Sequence, residues 1–156
     1  MKKFIVLLSC VAFLLVTAGT VLAADNDSHQ VTVTVSAINE VAIDGGNVTL
    51  TINDETLQAT DSTTADLDWA TNGSAMVITV ETDNVAPVYD LYVTAANVTG
   101  GTATAERAIT TTAQNVVTAI TQTAGGCDLS YRATAAITDA PGSDVHNVTY
   151  TITTGI

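Results

Sequence analysis

Val148-Thr149-Tyr150-Thr151-Ile152-Thr153 sets apolar and hydroxyl side chains in strict alternation near the end of the chain. A period of two is the signature of a β-strand with one face buried and the other in water. β-Branched residues are stiff at χ1 and suit a pleated surface, so the Thr/Val content points the same way. The stretch therefore reads as a strand.

The same pattern recurs upstream. Val31, Val33 and Val35 alternate with Thr32, Thr34 and Ser36, and Val48, Leu50 and Ile52 with Thr49, Thr51 and Asn53. Met76, Ile78 and Val80 form a third set, and Tyr89, Leu91, Val93 and Ala95 a fourth. Leu129, Tyr131, Ala133, Ala135 and Ile137 form a fifth. Weaker strands are expected near 66–70, 102–109 and 115–121. Turn chemistry separates the segments at Asp44-Gly45-Gly46, Asn72-Gly73-Ser74, Gly100-Gly101, Gly125-Gly126 and Pro141-Gly142. Ile109, Ala113, Val116, Val117 and Ile120 also fit a helical face, but Thr110-Thr111-Thr112 and the β-branched density decide for a strand. The expected fold is all-β: an antiparallel β-sandwich of the immunoglobulin-like or pilin-like kind, with about seven to nine strands.

Residues 1–23 read as a secretory signal peptide. Lys2 and Lys3 precede an apolar run from Phe4 to Val16, and Val21-Leu22-Ala23 offers a small-residue cleavage site. The run is short for a membrane span, which needs about 20 residues. Leu7-Leu8-Ser9-Cys10 loosely matches a lipoprotein box, but the apolar run continues past Cys10. Cleavage after Ala23 leaves residues 24–156 as a single domain that is secreted, extracellular or at the cell surface. Residues 24–38 of it form a possible exchangeable N-terminal strand.

Removal of the signal takes both lysines. Arg107 and Arg132 then face sixteen acids, for a net charge of −14. Nucleic acids and anionic membranes need Lys/Arg patches that release counterions, so neither is expected as a partner. Cys10 also leaves with the signal, so Cys127 has no intramolecular disulfide partner and reads as a buried small hydrophobe.

Catalytic constellations are missing. His29 and His146 stand alone, and no metal-ligand spacing, phosphate loop or nucleophile elbow occurs. A pairing of Cys127 with His146 would lack an orienting third group. No enzyme activity and no cofactor is expected. Calcium is the one ion the composition invites, through Asp54 and Glu55, Asp61 with Asp66 and Asp68, or Asp139 with Asp144, although none follows an EF-hand pattern. Trp69 is a candidate platform for sugar stacking. Asn26, Asn47, Asn72, Asn97 and Asn147 head N-x-Ser/Thr triplets, which are glycosylation acceptors in an organism that N-glycosylates.

Thr112-Ala113-Gln114-Asn115-Val116-Val117-Thr118, Asp128-Leu129-Ser130-Tyr131 and Pro141-Gly142 leading to Val148-Thr149-Tyr150-Thr151-Ile152 resemble a pattern of exported β-sandwich proteins. The terminal Pro-Gly turn and Thr/Val strand are similar to spore-coat-U-like and other pilin-type domains. That resemblance implies an incomplete sandwich whose missing strand is donated by the next subunit. Gln30 to Ile38 suits the role, because Val31, Val33 and Val35 would seat in a neighbour's core while the backbone extends its sheet. The same segment pairing within its own sandwich is the competing expectation. A non-enzymatic subunit of a surface fibre, coat or matrix, partnered by itself or by other surface proteins, follows from these readings. A secreted calcium- or carbohydrate-binding β-sandwich module is the alternative.

Overall fold

The computed structural model describes residues 28–155. The chain divides into Met1–Thr34 and Val35–Ile156, and among the described residues the regular structure lies in the second unit. The expected signal peptide falls outside the described residues. Among those described there is no helix, and the strands form two antiparallel sheets.

The strands are β1 (Asn39–Gly45), β2 (Gln58–Thr71), β3 (Met76–Thr82), β4 (Asp90–Thr99), β5 (Thr102–Ala103), β6 (Arg107–Ala108), β7 (Gln114–Ile120), β8 (Thr123–Thr134) and β9 (Val148–Thr154). One sheet has the order β1-β2-β8-β4-β6 and the other β5-β7-β3-β9. The long central strands turn apolar positions inward: Ala65, Leu67 and Trp69 on β2, Met76, Ile78 and Val80 on β3, Cys127, Leu129 and Tyr131 on β8. These residues of both sheets form one continuous core. A two-layer antiparallel sandwich with one wet face per sheet is what the alternation requires.

Two expected strands do not form. Val31 to Ser36 belongs to no strand. Residues 48–53 are likewise unpaired, although Val48, Leu50 and Ile52 are half-buried while Thr49, Thr51 and Asn53 are exposed. Alternation there describes which way side chains point, and says nothing of a ladder partner. The fifth set also ends early: β8 stops at Thr134, and Ile137 is 84% exposed.

Elsewhere strands run through expected turns. Gly125-Gly126 lies inside β8. Trp69 stands directly across from Gly125, and a Cβ there would come 2.7 Å from the indole ring and collide with the Thr99 carbonyl. Only glycine leaves room for the ring. β2 was visible in sequence only near 66–70 because its register shifts between Asp61 and Ala65. Asp61 Oδ1 accepts from the backbone of Thr63 and Thr64 in that bulge, a local turn that breaks the period.

The strand reading of 115–121 holds, and β7 explains its helical look. Val116, Val117 and Ile120 are all buried because the β3–β7 register shifts twice and Ala119 takes a φ of 55°. A bulge inserts an extra residue and so mimics a spacing of one and four.

Candidate functional site

Val31, Val33 and Val35 are 71%, 81% and 75% exposed. Sequence alternation put these valines in a strand with a buried face; instead all three side chains lie in water, with no strand around them. Their stretch, Gln30 to Ile38, carries no charge.

The end of the segment is tied to the turn after β2. The Asn72 amide nitrogen donates to the Ser36 carbonyl at 2.8 Å, and the Asn72 side-chain oxygen accepts from the Ile38 N–H at 2.8 Å. The Asn72 backbone N–H donates to the Ile38 carbonyl at 3.1 Å. A carboxamide carries a donor and an acceptor like a peptide group, so this side chain stands in for a strand partner where β1 begins.

The same geometry separates the glycosylation candidates. Asn72 is consumed by that bracket. Asn97 donates to Asp128 Oδ2 at 2.6 Å, from a left-handed φ of 51° in the bulge of β4. Asn147 donates to Asp83 Oδ2 at 2.6 Å. Asn47 is exposed and its side chain has no hydrogen bond. Asn26 lies outside the described residues.

The acids divide into turn-builders and a sheet face. Asp54 holds the N–H of Thr56, Asp139 that of Ala136, and Asp144 those of Val88 and Tyr89. Hydrogen bonds from Thr56 to Asp54, and from Thr64 and Thr63 to Asp61, hold both carboxyls below the usual aspartate value. Asp44, Asp66 and Asp128 instead stand in one row across β1, β2 and β8, on the outer face of the larger sheet. Among the described residues no group of three or more His, Cys, Asp or Glu is arranged to hold a metal ion.

Both arginines are engaged. Arg132 pairs with Glu106 through two hydrogen bonds of 2.9 and 2.6 Å and lies 4.2 Å from the Tyr92 ring centroid. Arg107 Nε donates to the Asn115 carbonyl. Among the described residues, therefore, neither arginine is uncommitted.

Trp69 is 3% exposed, so it offers no platform to a sugar, contrary to the sequence reading. Cys127 is buried, and burial followed by the nearby Asp128, Asp66 and Asp68 pushes its thiol up to about 11. His146 faces the Thr82 hydroxyl at 3.4 Å, and no hydrogen bond joins it to Cys127. A shallow pocket of about 210 Å³ between Val85, Pro87, Leu91 and Ile109 has Asp90 as its one ionisable lining group. A single carboxylate does not make an acid–base pair.

Two of the four edge strands are long. β1 and β9, seven residues each, end their sheets and pair on one side only. Sequence reasoning did not find β1, because Asn39–Gly45 lacks hydroxyl alternation and Asp44-Gly45 reads as a turn. Comparison with family models and with curated protein sequences gives no match.

Proposed function

We propose that the chain is exported and serves as a non-enzymatic structural subunit of a surface fibre, coat or matrix. It associates with further copies through β-edges, in the manner of a pilin-like domain. The observation that carries this reading is the exposure of Val31, Val33 and Val35, at 71%, 81% and 75%, in an uncharged alternating segment outside any strand.

Three closely spaced, exposed valines are costly to leave in water. Burying each is worth about 1.5–3 kcal/mol relative to exposure. A second copy supplies a sheet edge on which the segment gains backbone hydrogen bonds and covers the valines at once. The strong negative charge and two committed arginines leave nucleic acids and acidic surfaces as poor partners.

Negative-stain microscopy and sedimentation of the protein test the proposal. Concentration-dependent particles larger than a monomer are expected. Replacing Val31, Val33 and Val35 together by Asp should remove the particles larger than a dimer and leave the sandwich intact. A strictly monomeric wild-type particle at high concentration would overturn the reading.

A further inference from the structure

Of the four strands that end the two sheets, β5 and β6 have two residues each, too few to template a partner. β1 is long enough but charged. Laid antiparallel on its own copy about the central Ala42, it sets Glu40 opposite Asp44 on both sides. Like charges directly opposed destabilise a pair.

β9 is different. Val148-Thr149-Tyr150-Thr151-Ile152-Thr153-Thr154 has no charge, no proline and no glycine, and it pairs with β3 alone. Charged side chains, proline and a bulge, which blunt many natural edge strands, are absent from it. Val148 and Ile152 face inward yet are only half-buried, so apolar area remains for a neighbour to cover. We propose that β9 is a self-docking edge. Two copies join antiparallel, β9 to β9, about a two-fold axis at Thr151, merging two four-stranded sheets into one of eight strands.

The register follows from the faces. Opposed residues of an antiparallel pair point to the same side, so inward Val148, Tyr150 and Ile152 must face inward positions of the other copy. Among registers that satisfy this, the one centred on Thr151 engages all seven residues of the strand. It opposes Tyr150 to Ile152, Thr149 to Thr153, and Thr151 to Thr151. Aromatic–β-branched and Thr–Thr pairs are favourable cross-strand neighbours.

Charge also fits this register. Glu81 lies next to Thr149 on β3. The row continues through Thr153 of the second copy to Val77 of that copy, so the two Glu81 side chains never share a row. Net charge still repels the copies at long range, and screening weakens that repulsion beyond about 8 Å at physiological salt. The two-fold contact is isologous and closes at two copies. This extends the self-assembly reading but uses none of the residues on which that reading stands.

The test is sedimentation velocity of the full chain against its Thr151→Glu variant. Thr151 is exposed, so the variant keeps its fold, which far-UV circular dichroism checks. Two glutamates then meet on the axis, and the dimer dissociation constant should rise at least tenfold. In a second arm, Thr151→Cys should form an interchain disulfide on mild oxidation, while Ala42→Cys at the centre of β1 should not. The wild-type dimer should gain population between 0.01 and 0.5 M NaCl, on the order of the change expected when surface repulsion is screened. A folded Thr151→Glu chain that dimerises as well as wild type overturns the inference, as does equal crosslinking of the two cysteine variants. The valine triple replacement keeps the readings apart: it should remove larger assemblies and leave the β9 dimer, whereas Thr151→Glu should do the reverse.

Discussion

The phenolic oxygens of Tyr131, on β8, and Tyr150, on β9, lie 2.8 Å apart inside the core. The two strands belong to opposite sheets, so one hydroxyl pair bridges the sandwich. Both rings are buried, at 7% and 8% exposure. A buried hydroxyl without a partner loses the hydrogen bonds it made to water, which is why the two meet. Tyr131→Phe should cost about 1–3 kcal/mol, because it strands the Tyr150 hydroxyl. The double replacement of Tyr131 and Tyr150 by Phe should cost less than the sum of the singles. Urea denaturation of the three variants measures this.

The same burial sets an alkaline limit. Burial raises both tyrosines above the usual phenol value, and it raises Cys127 from 9.0 to about 11. A group whose folded value is raised stabilises the fold below its unfolded value and loses that contribution as pH climbs through the folded one. For Cys127 the loss runs from pH 9.0 to about 11. Melting temperature should therefore be flat from pH 7 to 8.5 and fall steadily above it. Cys127→Ala should soften the fall between pH 9 and 11, provided the small cavity it leaves is tolerated.

Gly125 is the position where a single methyl should do most harm. Its Cβ would enter the Trp69 ring at 2.7 Å. Gly125→Ala should destabilise by about 1–3 kcal/mol, the range for overpacking a well-filled core. A red shift of Trp69 emission on entry of water would accompany it. An unchanged melting temperature would show that the ring and β8 have room to move.

Ala119 offers the opposite case. It is exposed and holds a φ of 55° in the β7 bulge. The left-handed conformation costs an L-residue roughly 1–2 kcal/mol that glycine does not incur. Ala119→Gly should therefore raise the melting temperature, less the few tenths to about 1 kcal/mol that glycine adds to the unfolded chain's entropy. Calorimetry of this one variant decides the sign.

The fold class was legible because face alternation is written into the residues. Val148-Tyr150-Ile152, Met76-Ile78-Val80 and Leu129-Tyr131 point inward as their spacing requires. Even the unpaired segment 48–53 keeps its half-buried and exposed rhythm. Gly125 misled because a strand glycine and a turn glycine look alike until the Trp69 ring lies over one of them. The Val116-Val117-Ile120 spacing misled for a related reason, since a bulge and a helical turn both shift the period.

The candidate assembly surface divides along the same line. By itself, the order of residues determined which segments are uncharged and alternating, Gln30–Ile38 and Val148–Thr154 among them. It also determined the acidic balance that limits partners. Tertiary structure alone decided that Val31, Val33 and Val35 stay in water although they alternate as Val148, Tyr150 and Ile152 do. It likewise decided that Asn72 is spent as a bracket on Ser36 and Ile38. The physical reason is that side-chain direction follows from the local period of the backbone. Whether a strand has a neighbour depends on contacts between residues far apart in the chain, such as Asn72 with Ser36 or Thr79 with Thr151.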